Sequence, residues 1–237
     1  MRTAAILPIK SFGAAKQRLA PMLGTGSRQA LAQAMFSDVL GSLRKVERLD
    51  TITVVSADPA VDAAARGNGV TVVMDHSESG QSDATVVGIR HALAAGYERV
   101  LLVPGDTPLL CPAELDSLLA RGESDGMQVV IVPDRHGSGT NALLITPPGA
   151  FRPSFGPDSL NRHLTLAQEA GLKHSVEEVP SLSHDIDTPD DLSALADALE
   201  ERRAVAPMTR GALRQLDRMR ASRFSSEGAP EAVELEV

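Results

Sequence analysis

Short runs of Val, Ile and Leu alternate with helical patterns along much of this 237-residue chain. The runs include Thr51–Ser56, Val70–Met74, Arg99–Pro104 and Gln128–Pro133, and each is apolar enough for a strand buried on both faces. Between the runs, apolar residues recur at helical spacing, as they do from Leu31 to Leu43. Strands that alternate with helices require crossover connections. We therefore predict an α/β fold with a mainly parallel sheet flanked by helices.

The remaining elements follow from the same periodicities. Ala4–Leu7 is predicted as the first strand, and Ser27 as the N-cap of the first long helix. The closing helix has a strong start, with Thr188 as N-cap and Pro189 in the first turn. Further helices are predicted at 61–66, 84–95, 113–121, 160–170 and 188–203, and further strands at 141–145 and 175–179.

Residues 1–203 are predicted to form one domain, because a chain that is 43% apolar can bury one substantial core. Residues 204–237 are charged and poor in bulky apolar side chains, so we predict a polar tail that is partly helical or disordered. We expect this tail to be dispensable for chemistry. One hypothesis is that it contacts a second subunit or the next enzyme of a pathway through Arg210, Arg214 and Arg218; a solvated surface is the alternative.

Composition excludes several classes of partner. The net charge of −8 disfavours nucleic acid, and the single cysteine excludes an intrachain disulfide framework and fits a reducing compartment. Neither a signal peptide nor a segment of transmembrane length is recognisable. We therefore expect a cytoplasmic protein that binds neither nucleic acid nor membrane.

The loop after the first strand carries three cations, Lys10, Lys16 and Arg18, and a glycine, Gly13. A loop between a strand and a helix is where α/β proteins bind phosphates. Neither a dinucleotide-binding glycine fingerprint nor a Walker A motif is present, which argues against a Rossmann oxidoreductase. We predict that these three cations act in catalysis by neutralising a triphosphate.

Acidic residues follow two apolar segments. Asp106 comes just after a buried strand, at the sheet edge where α/β proteins bind ligands. In the segment SHDIDTPDDL, Asp185 and Asp187 share one face of an extended backbone. Carboxylates that point at one spot repel each other unless a cation lies between them, and oxygen ligands suit Mg²⁺. We predict that Asp106, Asp185 and Asp187 bind Mg²⁺.

Two later loops suggest a second anionic ligand. In DRHGSGTNALL, glycines precede Thr140 and would let backbone N–H groups converge on an anion. In FGPDSLNRH, Ser159 lies near a helix N-terminus, and Arg162 and His163 follow in the first turn. Cations oppose the helix dipole at that end, and a bound phosphate or carboxylate would explain them.

A cationic loop, a carboxylate-bound Mg²⁺ and a second anion site together predict nucleotidyl transfer. An acceptor phosphate oxygen would attack the α-phosphorus of a nucleoside triphosphate, and pyrophosphate would leave. Because a phosphate is already ionised at neutral pH, the reaction needs positioning and charge stabilisation rather than a general base.

Five motifs in this order resemble a known family. LPIKSFGAAKQRLAP, PGDTPLL, GSGTNALL, FGPDSLNRH and DIDTPDDL resemble the CofC/FbiD guanylyltransferases of deazaflavin coenzyme F(420) biosynthesis, from the first strand to about Leu199. The resemblance implies a single-domain GT-A-like fold of the nucleotide-diphospho-sugar transferase type. It also implies Mg²⁺ dependence, GTP as donor and a phosphorylated three-carbon acid as acceptor.

The resemblance also implies roles for individual residues. Three would contact the acceptor and three would hold the metal. The acceptor residues are Thr140, Gly156 and Ser159, and the metal ligands are Asp106, Asp185 and Asp187. No diglycine loop of the sugar-phosphate nucleotidyltransferases is present, which argues against a sugar acceptor.

Several alternatives stay open at this stage. The acceptor could be phosphoenolpyruvate, 2-phospho-L-lactate or 3-phosphoglycerate, or another phosphate such as a sugar phosphate or a pterin. A non-catalytic nucleotide-binding module is a further alternative. Guanine recognition is expected near Ser56–Asp58 and Gly80–Ser82. The oligomeric state is open, with a homodimer as one option, as is hand-over of the product to a further transferase.

Overall fold

The computed structural model describes residues 1–75, 80–202 and 204–227, with side chains described as far as residue 219. These residues form a seven-stranded sheet in the order β3-β2-β1-β4-β6-β5-β7, in which β6 alone runs antiparallel to its neighbours. The strands are Thr3–Pro8 (β1), Thr51–Ser56 (β2), Thr71–Met74 (β3), Arg99–Leu102 (β4), Val129–Pro133 (β5), Thr140–Ile145 (β6) and His174–Val176 (β7).

Helices connect the strands as predicted, so the α/β fold with a mainly parallel sheet is confirmed. The helices are Thr25–Leu43 (α1), Pro59–Gly67 (α2), Gln81–Ala94 (α3), Pro112–Ser124 (α4), Ser159–Glu169 (α5), Pro189–Glu201 (α6) and Pro207–Glu227 (α7), with short 3-10 turns at Gln17–Leu19 and Pro180–Leu182. Thr188 caps α6 as predicted, and Asp191 completes a reciprocal capping box. The prediction of Ser27 as a cap is wrong, because α1 begins at Thr25 with Gly24 as its N-cap. None of the described helices is long and apolar enough to cross a membrane.

The sheet separates two apolar layers, because alternate residues of each strand point to opposite faces. In β1, Ala5 and Leu7 pack with α1, α2 and α4, whereas Ala4 and Ile6 pack with α3 and α5. α3 approaches the sheet so closely that a Cβ on Gly88 would lie 2.5 Å from Ile6 Cγ2. The helices are therefore fixed against the sheet, and the loops at the carboxyl ends of its parallel strands are left to form a site.

The C-terminal segment is more deeply integrated than its composition suggests. Leu216 of α7 is buried in a third apolar cluster with Leu31 and Met35 of α1 and Leu199 of α6. The predicted boundary at residue 203 and the last ten residues lie outside the described residues. Dispensability of the tail for chemistry stays a prediction, but α7 is needed for packing because its removal would expose apolar side chains of α1.

The predicted arginine stripe on α7 is divided between two environments. Arg210 Nη2 donates to the carbonyls of Leu199 at 2.6 Å and Arg202 at 2.8 Å, which satisfies acceptors at the end of α6. Arg218 Nε donates to the carbonyl of Arg214 on the exposed face of the helix. Arg210 therefore holds two helices together and is not part of a uniform solvated stripe.

Asp38→Ala is expected to lower the free energy of unfolding by about 1–2 kcal/mol. Asp38, on α1, is buried and accepts from Met208 N at 3.2 Å and from Thr209 N and Oγ1 at 2.7 Å. This contact caps α7 from a neighbouring helix. Urea unfolding would measure the loss, and Asp217→Ala on the exposed face of α7 is the control. Equal midpoints for the two variants would contradict the role of Asp38.

Candidate active site

A cavity of about 320 Å³ opens at the carboxyl ends of β1, β2 and β4. Its lining includes Pro8 at the end of β1, most of the following loop as far as Lys16, residues 104–106 after β4, and Asp75, Gly80 and Gln81. Ligands bind at this edge in open α/β sheets, because loops there are free of the sheet's hydrogen bonding. The basic loop and Asp106 therefore border one cavity, as the sequence predicts.

Lys16 links two of the predicted acidic residues. Its side chain is only 5% exposed, and its Nζ donates to the carboxylate of Asp106 and to Asp187 Oδ1 at 2.9 Å. Burial alone would lower the pKa of Lys16, but the carboxylates of Asp106 and Asp187 outweigh burial and raise it. The site thus contains a charged ammonium group between two carboxylates that lie 90 and 171 residues away along the chain.

The backbone at Lys16 adopts a left-handed conformation, with φ 58° and ψ 40°. This region is unfavourable for a residue with a Cβ and persists where the surroundings impose it. Asp58 fixes the preceding turn, since its Oδ2 accepts from Ser11 Oγ at 2.7 Å and from Phe12 N at 3.1 Å. Burial would raise the pKa of Asp58, but these hydrogen bonds and one from Ala60 N lower it overall.

Asp58 therefore supports the basic loop. From the sequence it was expected only to lie in the region that recognises the base. Ala57, Gly80 and Gln81 of that region line the cavity, and their role in base recognition stays a prediction. The carboxylate of Asp58 instead holds the basic loop, and Ser82 Oγ accepts from Phe155 N at 3.0 Å. Two members of the predicted base-recognition region thus support neighbouring loops.

The other two predicted cations are exposed. Lys10 lines the cavity, and Arg18 Nη1 lies 4.0 Å from Asp187 Oδ2 with 75% of its side chain exposed. An exposed pair at this distance contributes little to stability. Both side chains are consequently free to contact an anionic ligand.

Asp185 lies near the same two carboxylates. Its Oδ1 accepts from Asn141 Nδ2 at 3.2 Å, and Asn141 also donates to the carbonyl of Leu182 at 2.7 Å. Burial raises the pKa of Asp185, Asp106 and Asp187 raise it further, and the hydrogen bond from Asn141 opposes the rise. The carboxylates of Asp106 and Asp187 are thus close enough to Asp185 to raise its pKa.

The donor set fits Mg²⁺ in its chemistry, because all the candidate ligands are oxygen atoms and two of them already face one positive charge. Within the described ranges, no group of three or more His, Cys, Asp or Glu side chains is arranged to hold a metal ion. The arrangement here is a two-carboxylate cradle around the ammonium group of Lys16. Metal binding by Asp106, Asp185 and Asp187 stays a prediction.

The loop before β6 contains the predicted anion-binding turn. Asp134 Oδ1 accepts from the backbone N–H groups of His136 at 3.1 Å and Ser138 at 3.0 Å. A Cβ on Gly139 would lie 2.5 Å from Asp134 Oδ2, so this glycine makes room for that carboxylate. The N–H groups of His136 and Ser138 thus already donate to an anionic side chain of the same loop, and anion binding by this turn stays a prediction. Thr140 follows this loop and is buried.

The second predicted acceptor loop leads into α5. Gly156 has φ 110°, a conformation that side chains with a Cβ rarely adopt. Ser159 is buried at the start of α5, where its N–H donates to the carbonyl of Gly156 at 3.1 Å. Leu160 N donates to the carbonyl of Ser138 at 3.1 Å, which joins this helix to the loop before Thr140. Thr140, Gly156 and Ser159 thus belong to two hydrogen-bonded neighbouring loops.

Arg162 is already engaged within its own loop. Its guanidinium donates to the carbonyls of Ser154 and Pro157, and its Nε donates to Ser154 Oγ at 3.0 Å. These acceptors explain a cation in the first turn of a helix without a bound anion. Direct substrate binding by Arg162 stays a prediction, and the contacts observed here shape the loop that contains Gly156.

His163 is fully buried, and its ring lies against the rings of Phe151 and Phe155. Its Nε2 lies 3.0 Å from Ser154 N, and its Nδ1 lies 2.9 Å from Thr140 Oγ1. Burial, helped by the charge of Arg162, lowers the pKa of His163 to about 4, so the ring is neutral at pH 7. The interpretation of His163 as a cation in the first turn is therefore wrong.

The connection between the acidic and acceptor loops could not be predicted from the sequence. Asp191 Oδ2 accepts from Asp187 N at 3.0 Å and Thr188 N at 2.6 Å. Arg135, in the loop before β6, forms an ion pair with Asp191. The capping motif identifies Asp191 as part of α6, but no sequence signal points to its partner.

The chain is similar in sequence to known guanylyltransferases. A family model described as "Guanylyl transferase CofC like" matches residues 3–204. A phosphoenolpyruvate guanylyltransferase of Conexibacter woesei is 50% identical over 216 residues, which cover 91% of this chain and 97% of that protein. A 2-phospho-L-lactate guanylyltransferase of Methanothermobacter thermautotrophicus is 34% identical over 82% of this chain and 84% of its own length.

A solved structure from Desulfovibrio desulfuricans, described as a nucleotide-diphospho-sugar transferase, superposes with a TM-score of 0.74. The superposition covers 92% of this chain and 96% of that one at 17% sequence identity, which is evidence for the fold alone. The predicted fold of the nucleotide-diphospho-sugar transferase type is thereby confirmed. The chain belongs to the family of CofC-like guanylyl transferases.

Proposed function

We propose that this member of the family transfers GMP from GTP to a phosphorylated three-carbon acid and releases pyrophosphate, with phosphoenolpyruvate as the acceptor. The observation that carries the proposal is the buried Lys16 ammonium between Asp106 and Asp187 at the edge of the cavity. The name of the 50% identical relative supports phosphoenolpyruvate over other acceptors. The family resemblance supports a role in the biosynthesis of deazaflavin coenzyme F(420).

The donor half of the site consists of the cavity and the basic loop. We infer that the nucleoside enters the cavity beside Gly80 and Gln81 and that its triphosphate faces Lys10, Lys16 and Arg18. These cations neutralise the charge that develops on the pyrophosphate as the bond to the α-phosphorus breaks. The tether from Asp58 holds the loop in place before GTP arrives, which limits the reorganisation that binding requires.

Mg²⁺ would be held by Asp106, Asp185 and Asp187, and it would supply charge neutralisation at the phosphates. The aspartates approach from the loops after β4 and before α6, and Asp191 fixes the backbone of the second loop.

The acceptor half consists of Thr140, Gly156 and Ser159. A phosphate oxygen of the acceptor attacks the α-phosphorus, a new P–O bond forms, and the bond to pyrophosphate breaks. The nucleophile is already ionised at neutral pH, so the protein needs to align it and does not need to remove a proton.

Pyrophosphate release with each nucleoside triphosphate and each candidate acceptor tests the proposal. We expect turnover with GTP and phosphoenolpyruvate to exceed turnover with 2-phospho-L-lactate, 3-phosphoglycerate, a sugar phosphate or a pterin phosphate. Faster turnover with one of the last two compounds would favour a different nucleotidyltransferase. GTP binding without pyrophosphate release from any acceptor would favour a nucleotide-binding module.

Ser159→Ala is expected to raise the acceptor KM about 2–10-fold, the effect of losing one neutral hydrogen bond, and to leave the KM for GTP unchanged. Steady-state kinetics with each substrate varied in turn would measure both constants. Ser193→Ala, on the exposed face of α6, is the matched control. A selective rise in the KM for GTP would mean that the donor and acceptor halves are reversed.

A further inference from the structure

The hydrogen bonds of His163 determine which ring nitrogen carries its proton. A backbone N–H can only donate, so Ser154 N, at 3.0 Å, requires a lone pair on Nε2. A neutral imidazole carries one proton, which must then lie on Nδ1. Nδ1–H therefore donates to Thr140 Oγ1 at 2.9 Å.

This tautomer has a consequence for Thr140. A hydroxyl group has one hydrogen, and the Thr140 oxygen already accepts from His163, so its own hydrogen points away from the ring. We propose that His163 is a positioning residue that makes the hydroxyl of Thr140 a hydrogen-bond donor to the oxyanion of the acceptor. This inference rests on the proposed function, because it takes Thr140 as an acceptor contact.

The orientation matters because phosphate and carboxylate oxygens only accept hydrogen bonds. With the opposite tautomer, Thr140 would donate to His163 and present lone pairs to the ligand, which would repel an oxyanion. The same ring fixes Ser154 N, so it joins Thr140 to the loop that contains Gly156. Because the ring is fully buried against Phe151 and Phe155, water cannot readily substitute for either contact.

Two substitutions separate the two contacts of the ring. His163→Gln keeps an acceptor near Nε2 for Ser154 N but loses the donor to Thr140, whereas His163→Asn keeps a donor near Nδ1. We expect His163→Gln to raise the acceptor KM about 5–10-fold and His163→Asn to raise it less than threefold, with the KM for GTP within twofold in both. His91→Gln, on the exposed surface of α3, is the matched control.

A double-mutant cycle tests whether His163 acts through Thr140. We expect Thr140→Val to raise the acceptor KM about tenfold and His163→Gln to add less than twofold in the Thr140→Val background. If the effects of Thr140→Val and His163→Gln on the acceptor KM multiply, the proposal is overturned. It is also overturned if His163→Gln lowers kcat and raises the KM for GTP and the KM for the acceptor by similar factors.

The tautomer of His163 can also be measured by NMR on the wild-type protein, so this test does not depend on whether a variant folds. Correlation of the imidazole ¹⁵N and ¹H signals at pH 7 is expected to show a neutral His163 ring protonated at Nδ1. A ring protonated at Nε2, or at both nitrogens, would overturn the proposal. If the proposed function is wrong, the wild-type protein will release no pyrophosphate. The NMR signals of the ring do not depend on that activity, so the two failures can be distinguished.

Discussion

Asp187→Asn is expected to lower the rate of pyrophosphate release about 100–1,000-fold, the range found for loss of one preorganised electrostatic group. The substitution keeps the shape of the side chain but removes the charge that faces Lys16 Nζ at 2.9 Å. It also removes a predicted Mg²⁺ ligand. The rate would be measured at saturating GTP and acceptor while Mg²⁺ is varied, and chelation of Mg²⁺ from the wild type should abolish activity.

The control for this variant is Asp190→Asn, an exposed carboxylate in the first turn of α6. It removes the same charge from nearly the same region, so we expect turnover close to that of the wild type. Circular dichroism should be unchanged in both variants, because 45% of the Asp187 side chain is already exposed. Near-normal turnover of Asp187→Asn at saturating Mg²⁺ would show that the proposed metal site is wrong.

Lys16→Met is expected to lower kcat/KM for GTP at least 100-fold. The substitution keeps much of the buried aliphatic chain but removes the only charge that the structure shows in contact with both Asp106 and Asp187 among the described residues. Two effects follow from the loss. The triphosphate loses a cation, and the two carboxylates repel each other at the place where GTP must bind.

Kinetics with GTP and the acceptor varied separately would assign Lys16 to one half of the site. We expect a larger effect on GTP than on the acceptor, and a partial recovery in Lys16→Arg, which restores the charge in a different geometry. Lys45→Met, at an exposed position after α1, is the control. A larger effect on the acceptor KM would assign the basic loop to the acceptor.

Much of the fold was predictable because secondary structure and sheet class follow from local periodicity. The strand predicted at Thr51–Ser56 has the same bounds in the structure, and the start of α6 follows from Thr188 and Asp191. Both signals depend on residues at most a few positions apart. The antiparallel direction of β6 was not predicted, because the apolar pattern of a strand does not indicate whether it runs parallel or antiparallel to its neighbours.

The candidate site was only partly predictable, because most of its contacts join residues that are far apart in the chain. Lys16 and Asp106 follow neighbouring strands, so their approach is an expected result of a parallel sheet. Their direct contact, and its extension to Asp187, depends on the left-handed turn at Lys16 and on how Asp191 fixes the loop before α6. Such contacts form between residues far apart in the chain, and one sequence does not encode these distances in any local pattern.

The sequence by itself determined the order of the elements, the edge of the sheet that bears the site, and the residue types available there. Only the tertiary structure decided that Asp134 fills the glycine turn, that His163 is neutral, and that α7 packs on α1. The physical reason is the same in each case. Charge state and hydrogen-bond partner depend on burial and on neighbours from distant segments, and both are set only when the chain has folded.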